Sequence, residues 1–298
     1  CYGELVASRP RCGGEYHLLS SVYHPCVGFL AGWISVTVGF AAPVAAACGI
    51  FGEYFVQSIG LENINGKVPA VIMLLSVTAI HLMKLNVGGL FQIIMSILKF
   101  GLVLLLAISG ILLGTEGSWD FSPSEGEWNV ILSPGFAVAL FYVNYAYAGW
   151  NAASYVAGEI KNPAKNIPKA LLLGTISVLL LYLLINISFI VSAPKSEMKG
   201  QEEVGLIAAR YIFGQSGGNL IGGLVAFGLI SAVSAMTWAG PRVTQMIGQD
   251  YKNLSFFAKT NKNNTPINSV LFQSLIALVM LLLVDPARII IYLEFVLN

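Results

Sequence analysis

Long stretches without a charged side chain set the class of this chain. Residues 25–52, 170–194, 211–241 and 263–284 contain no Asp, Glu, Lys or Arg. A membrane-spanning helix needs about 20 predominantly apolar residues. Each of these stretches is long enough, and a soluble fold has no way to cover so many at once. Charge makes up 10% of the 298 residues and hydrophobic side chains 56%, whereas a soluble domain carries about 25% charge. Soluble enzymes, nucleic-acid binders and disordered scaffolds are therefore excluded as classes, and an all-α integral membrane protein is expected.

Further apolar runs fill the intervals. Residues 68–83 and 128–158 are uncharged, and 85–114 is uncharged except for Lys99. Residues 1–8 read as the end of a helix and 289–297 as the start of another. The expectation is seven complete spans and two partial ones, in a single transmembrane domain over residues 1–298. Pro43 should kink the span that holds it. The chain starts without Met and stops inside an apolar run, so it reads as a piece of a longer protein.

Alternate connections differ in charge. One set holds Arg9, Arg11, Lys84, Lys161, Lys165, Lys169, Arg242, Lys252, Lys259 and Lys262. The other holds Lys67, Lys195, Lys199 and Arg288, with most of the acids, including an acidic stretch over 115–129. The positive-inside rule places the first set in the cytoplasm. Strict alternation independently supports the span count.

Four features could carry chemistry. The first is the segment 141–168, FYVNYAYAGWNAASYVAGEIKNPAKNIP. It is apolar enough to span, yet Gly149 sits at its centre among aromatic and amide side chains. Two readings stand: an ordinary span with a packing glycine, or a broken helix. A break frees backbone groups that can hold a small polar solute at the midplane, and the positive end of the second half-helix favours a carboxylate. The second feature is Lys99, which costs about 2.5–3.5 kcal/mol at the centre of a span. It implies a buried partner or a coupling role, unless it lies at the interface. The third is the pair Ser231 and Ser234, on one helical face. They could ligate a cation or substrate, or simply allow close packing. The fourth is the run Arg9-Pro10-Arg11-Cys12-Gly13-Gly14-Glu15-Tyr16, whose Gly-Gly pair reads as a tight turn. His17, His24 and His81 are scattered. Cys1, Cys12, Cys26 and Cys48 lack metal-ligand spacing. No metal, cofactor or catalytic residue is expected.

These segments resemble the amino acid–polyamine–organocation permeases. CYGELVASRPRCGGEY looks like the end of that family's second helix and its following loop. SILKFG resembles its fifth helix with its lysine. YAYAGWNAASYVAGEIKNPAKNIPKA looks like its sixth helix and the next loop, and SAVSAMTWAGPRVTQMIGQD, with NNTPINSVL later, like its eighth and early ninth. The likeness runs in order over nearly the whole chain. It implies an inverted-repeat, leucine-transporter-like fold from late helix 2 to early helix 10, with helix 1 outside the sequence.

The resemblance also implies roles. Tyr145 matches an aromatic gate over the substrate. Ala146, Tyr147, Ala148 and Gly149 match an unwound stretch that binds the substrate amino group through carbonyls. Trp150 and Asn151 match the side-chain pocket, and Gly39 and Ala42 small residues beside it. Lys99 matches a built-in positive charge that stands where sodium-coupled relatives place a cation, with Ser231 and Ser234 facing the same region. Ala148 departs from the glycine common at its position. No acid lies near the centre of the segment in sequence, which favours a neutral amino acid. The expected activity is secondary active transport at a plasma membrane, such as a bacterial inner membrane, by proton coupling or exchange. The expected partners are the amino acid, the lipid bilayer and protons, with no nucleic acid. Sodium symport is the alternative mechanism, and a non-transporting receptor or subunit the alternative class. Neither a channel filter nor an enzyme's catalytic set is visible.

Overall fold

The computed structural model describes residues 1–60, 63–83, 88–117, 127–201, 203–262, 264–285, 288–289 and 293. Among these the regular structure is entirely helical. In chain order the helices are α1 (Tyr2–Ser8), α2 (Glu15–Val22), α3 (Pro25–Ile34), α4 (Ala41–Ile59), α5 (Lys67–Leu82), α6 (Gly88–Leu113), α7 (Glu127–Ile131), α8 (Pro134–Tyr147), α9 (Pro163–Ser192), α10 (Lys195–Met198), α11 (Val204–Asp250) and α12 (Ile267–Leu283). Helical structure is continuous over Pro25–Ile59; that stretch, Ile93–Leu113, α9 and α11 are long and apolar enough to cross a membrane, and α5 and α12 are shorter apolar helices.

The centre of the bundle is α4 against α11, flanked by α5 and α12, while α6 pairs with α9 and touches α11. Small residues explain the closeness. Ala41, Ala42, Ala45, Ala46 and Cys48 of α4 are buried with Ala226 and Val233 of α11 and Ala277 of α12. Lipid is as apolar as leucine, so membrane helices associate through close packing of small side chains. The large apolar residues point the other way: Ile97 and Leu112 of α6 and Leu172, Leu173 and Leu183 of α9 are exposed, as a lipid-facing surface requires.

Three helices are irregular. Between α3 and α4 the residues Ser35–Phe40 form a π turn, closed by Ala41 N–H bonding back to Val36 O. This π turn lies just before Pro43, where a kink was expected. Proline has no N–H to give to the carbonyl four residues back, and one extra residue in the preceding turn absorbs the mismatch. In α11, Gly214 departs from helical geometry at φ 71° and ψ 177°. The same helix runs on through Pro241 to Asp250, beyond the expected limit of its apolar run, and carries Arg242 to the end of the bundle. The third irregularity interrupts the span expected over 128–158. It splits into α7, α8 and short 3₁₀ turns at Ala152–Ser154 and Ala157–Glu159.

The two sets of loops separate. Arg11 of the first basic loop pairs with Asp250, and Glu159 with Arg242, so the basic loops converge on one end. At the opposite end Gln57 Nε2 donates to Glu203 Oε1, Lys67 Nζ to Leu282 O, and Gly117 N–H to Val191 O. Charge alternation along the sequence thus becomes charge separation along the bundle. Lys84 and most of the acidic stretch 115–129 lie outside the described residues.

Candidate substrate site at the broken helix

The site starts from the sequence Tyr145-Ala146-Tyr147-Ala148-Gly149-Trp150-Asn151. The α-helix ends at Tyr147; Ala148 turns extended at φ −59° and ψ 149°, and Gly149 has φ 83°. A side chain with a Cβ resists that positive φ, and glycine does not. The backbone bonds then tighten to three-residue steps: Ala148 N–H to Tyr145 O, Ala152 N–H to Gly149 O and Ser154 N–H to Asn151 O. Of the two readings open at Gly149, the broken helix is the one observed.

Neighbouring side chains hold the break in place. Tyr182 of α9 donates its hydroxyl to Ala146 O at 2.7 Å, and its ring meets that of Tyr147 edge-on at 5.1 Å. Trp150, half-exposed, packs edge-on against Tyr2 of α1 at 5.0 Å. Beyond the break, Tyr155 is buried with its ring edge-on to Phe40 at 4.8 Å. Phe40 closes the π turn, so the segment beyond the break sits against that irregular turn, while residues 148–150 themselves are exposed. A single hydroxyl-to-carbonyl bond is worth about 0.5–1.5 kcal/mol. Tyr182→Phe is therefore expected to lower thermal stability by that modest amount while leaving the ring stack; a fall several times larger would mean the whole break depends on this bond.

The remaining expected residues fall into two groups. Ala42 is buried in the α4–α11 core, and Tyr145 packs on the edge of the same cluster. Gly39 lies in the π turn, partly buried. Of these three, Tyr145 is the one that links the broken helix to the α4 core. Lys99 and the serines lie along α11: the Lys99 stem rests on Gly228, its Cγ 3.2 Å from the place a Cβ there would take, and Ser231 follows at the next turn, fully buried. Ser234 Oγ shares a hydrogen bond with His81 Nε2 at 3.0 Å. His81 belongs to α5, so this scattered histidine joins α5 to α11.

Asn151 is already engaged: its Nδ2 donates to Glu15 Oε1 at 2.6 Å, and Tyr155 OH donates to Glu15 Oε2 at 3.3 Å. An acid therefore does stand beside the break, although none lies near it in sequence. It arrives from the Gly13–Gly14 turn, which is moulded to Tyr155. Gly13 N–H donates to Tyr155 O at 3.1 Å, and a Cβ on Gly14, at φ 53°, would lie 2.5 Å from the Tyr155 ring. Glu15, Tyr155, Tyr182 and His81 are the residues that reading along the chain leaves out. The Gly-Gly pair was the available signal for the first two.

A family model described as "Amino acid permease" matches residues 1–295. The b(0,+)-type amino acid transporter 1 of Oryctolagus cuniculus is 25% identical over 303 residues, covering 99% of this chain and 61% of that protein. The serine/threonine exchanger SteT of Bacillus subtilis (strain 168) is 27% identical over 292 residues, covering 96% and 65%. The large neutral amino acids transporter small subunit 2 of Oryctolagus cuniculus is 25% identical over 304 residues, covering 99% and 57%. The chain thus spans about 61% of the length of the first of these relatives. Apolar helices throughout, a broken helix against a π turn, and a family match over almost every residue agree: this chain is a multi-pass membrane protein and belongs to the amino acid permease family.

Proposed function

We propose that the chain is the core of a secondary transporter that moves a neutral amino acid across a plasma membrane, the inner membrane of a bacterium. It works as a single transmembrane domain of the inverted-repeat type, by alternating access around a midplane site. The observation that carries this reading is the helix interrupted at residues 148–151 and seated, through Tyr155 and Phe40, on the π turn of the neighbouring helix. Irregular backbone at membrane depth is tolerated beside protein or a cavity, and it presents the polar groups a zwitterion needs.

In this reading the backbone over Ala146, Tyr147, Ala148 and Gly149 takes the substrate's ammonium group, and Tyr145 closes over it. Trp150, Asn151, Gly39 and Ala42 shape the pocket. Glu15, the acid that reaches the break among the described residues, is engaged by Asn151 and Tyr155, which supports a neutral substrate. So do the names of two relatives, a serine/threonine exchanger and a large neutral amino acid transporter subunit. The Lys99 stem lies against Gly228, one helical turn before buried Ser231, and Lys99 supplies the fixed charge that a sodium ion would otherwise supply. That placement supports exchange or proton coupling over sodium symport.

The test uses the full permease in proteoliposomes with labelled L-serine and L-leucine outside. Uptake is expected to require internal amino acid or a pH gradient and to persist when choline replaces sodium. Loss of uptake in choline would reject the coupling assignment. Saturable binding without flux in any condition would make the protein a receptor or subunit instead.

A further inference from the structure

Where α11 ends, the chain turns across the start of α3. Tyr251 leaves the helix in an extended conformation, at φ −116° and ψ 111°. Its hydroxyl donates to Pro25 O at 3.2 Å, and its ring meets that of Phe29 edge-on at 5.1 Å. The 3₁₀ segment Lys252–Ala258 follows. Buried Phe257 anchors it, and Asn268 of α12 donates Nδ2 to Phe256 O at 2.7 Å. Between the two elements lies a cavity of about 510 Å³, lined by Cys26, Phe29, Tyr251, Lys252, Asn253 and Leu254. That volume is within the range of small-ligand pockets, about 300–1,000 Å³.

The two sides of this cavity differ in chemistry. On one side Lys252 and Asn253 are exposed. Residues 251–262 carry three lysines and no acid, and the adjoining Asp250 already accepts from Arg11 and Tyr16. Among the described residues Lys252 enters no salt bridge. On the other side the cavity opens onto the apolar surface of α3. Val27, Leu30 and Ile34 are exposed there, at a spacing that places them on one helical face. Trp33, partly exposed, stacks on Phe29 at 6.1 Å. A lysine at the mouth and an apolar stripe leading away match the head and tail of a lipid.

The charge selects which lipid. The positive-inside rule assigns this end of the bundle to the cytoplasm, and the leaflet on that side carries anionic lipids. Free phosphate would satisfy Lys252 but leave Phe29 and the α3 stripe uncovered. A zwitterionic lipid would cover the stripe but bring its own cation to the lysine. We propose that the cavity binds one anionic phospholipid of the cytoplasmic leaflet, its phosphate at Lys252 and Asn253 and an acyl chain along Val27, Leu30 and Trp33. Bound there, the lipid joins the start of α3 to the end of α11. The site needs the positive-inside assignment and no transport activity.

Trp33 supplies the reporter. The experiment uses the full permease purified in a nonionic detergent, titrated with phosphatidylglycerol or phosphatidylcholine carrying brominated acyl chains. The signal is the quenching of Trp33, taken as the difference between the permease and its Trp33→Phe variant. Half-quenching is expected at an about fivefold lower mole fraction of phosphatidylglycerol, the scale of one lysine at an anionic surface. Lys252→Gln should abolish the preference and Lys252→Arg keep it. Lys259→Gln, on the same segment but outside the cavity lining, should keep it as well. Unbrominated phosphatidylglycerol should reverse the quenching, and inorganic phosphate should not. Equal half-quenching of the unmodified permease by the two lipids would overturn the site. So would equal losses in Lys252→Gln and Lys259→Gln, which would mean a diffuse surface charge, or full displacement by inorganic phosphate.

Discussion

Gly14→Val is expected to be among the most damaging single substitutions in the described part of the chain. Two independent constraints meet at this residue. Its φ of 53° with ψ −127° lies in a region that residues with a Cβ rarely adopt, at a cost of about 1–3 kcal/mol, and a β-branched side chain is the poorest fit to it. A Cβ would also stand 2.5 Å from two ring carbons of buried Tyr155. Overpacking of this kind typically adds about 1–3 kcal/mol. Tyr155 is not free to retreat, because its ring is against Phe40 and its hydroxyl is on Glu15. The combined cost, about 2–6 kcal/mol, is a large fraction of ordinary domain stability. Gly60→Val is the control for a positive φ without crowding: its φ is 71° and ψ 26°, and nothing lies within 4 Å of its Cβ position. Melting of purified protein should drop by several degrees more for Gly14→Val than for Gly60→Val. Equal drops would mean that backbone strain alone matters, and that the turn is not moulded to the segment beyond the break.

Lys99→Met is expected to act on stability and activity in opposite directions. The methionine stem is of similar length and can keep the packing against Gly228. Among the described residues Lys99 makes no salt bridge. The substitution therefore removes the cost of a charge within an apolar helix, about 2.5–3.5 kcal/mol at a span centre. Thermal stability should rise. On the transport reading proposed above, uptake should in contrast fall at least about tenfold, equivalent to about 1.4 kcal/mol, because the fixed charge that this reading assigns to Lys99 is gone. Lys99→Arg should retain the charge and most of the activity. The comparison is made on full permease in proteoliposomes, with and without a pH gradient. Normal uptake by Lys99→Met, still driven by the gradient, would assign Lys99 to packing and remove it from coupling.

These expectations differ in how far the sequence alone supports them. The apolar segments from 25–52 to 263–284 were legible because bilayer thickness imposes a length and a composition that can be read locally. The convergence of Arg11, Glu159 and Arg242 at one end was foreshadowed for the same reason: successive spans alternate direction, so charge parity along the chain predicts which loops share a side. The broken helix was half legible. Gly149 and its aromatic neighbours permit a break, but the same residues permit a packed glycine, and only the backbone geometry at Ala148 and Gly149 separates the two.

The side-chain partners were not legible. Glu15 and Asn151 lie 136 residues apart and His81 and Ser234 153 apart, yet each pair is hydrogen-bonded. Nothing in periodicity or composition marks such pairs, because a hydrogen bond depends on where helices cross and how they rotate. The π turn at Ser35–Phe40 is similar. Pro43 announces a disturbance, but whether it becomes a bend or an extra residue in the turn depends on what packs there, and here Tyr155 meets Phe40. Sequence by itself determined the membrane class and the gathering of the basic loops at one end, since these follow from the solvent around the chain. It did not determine the span count: seven complete spans were expected and, among the described residues, four helices are long and apolar enough to cross a membrane and two more are shorter. Tertiary structure decided where the helix breaks, what grips the break and which charges pair across the basic end, since these follow from contacts between segments far apart along the chain.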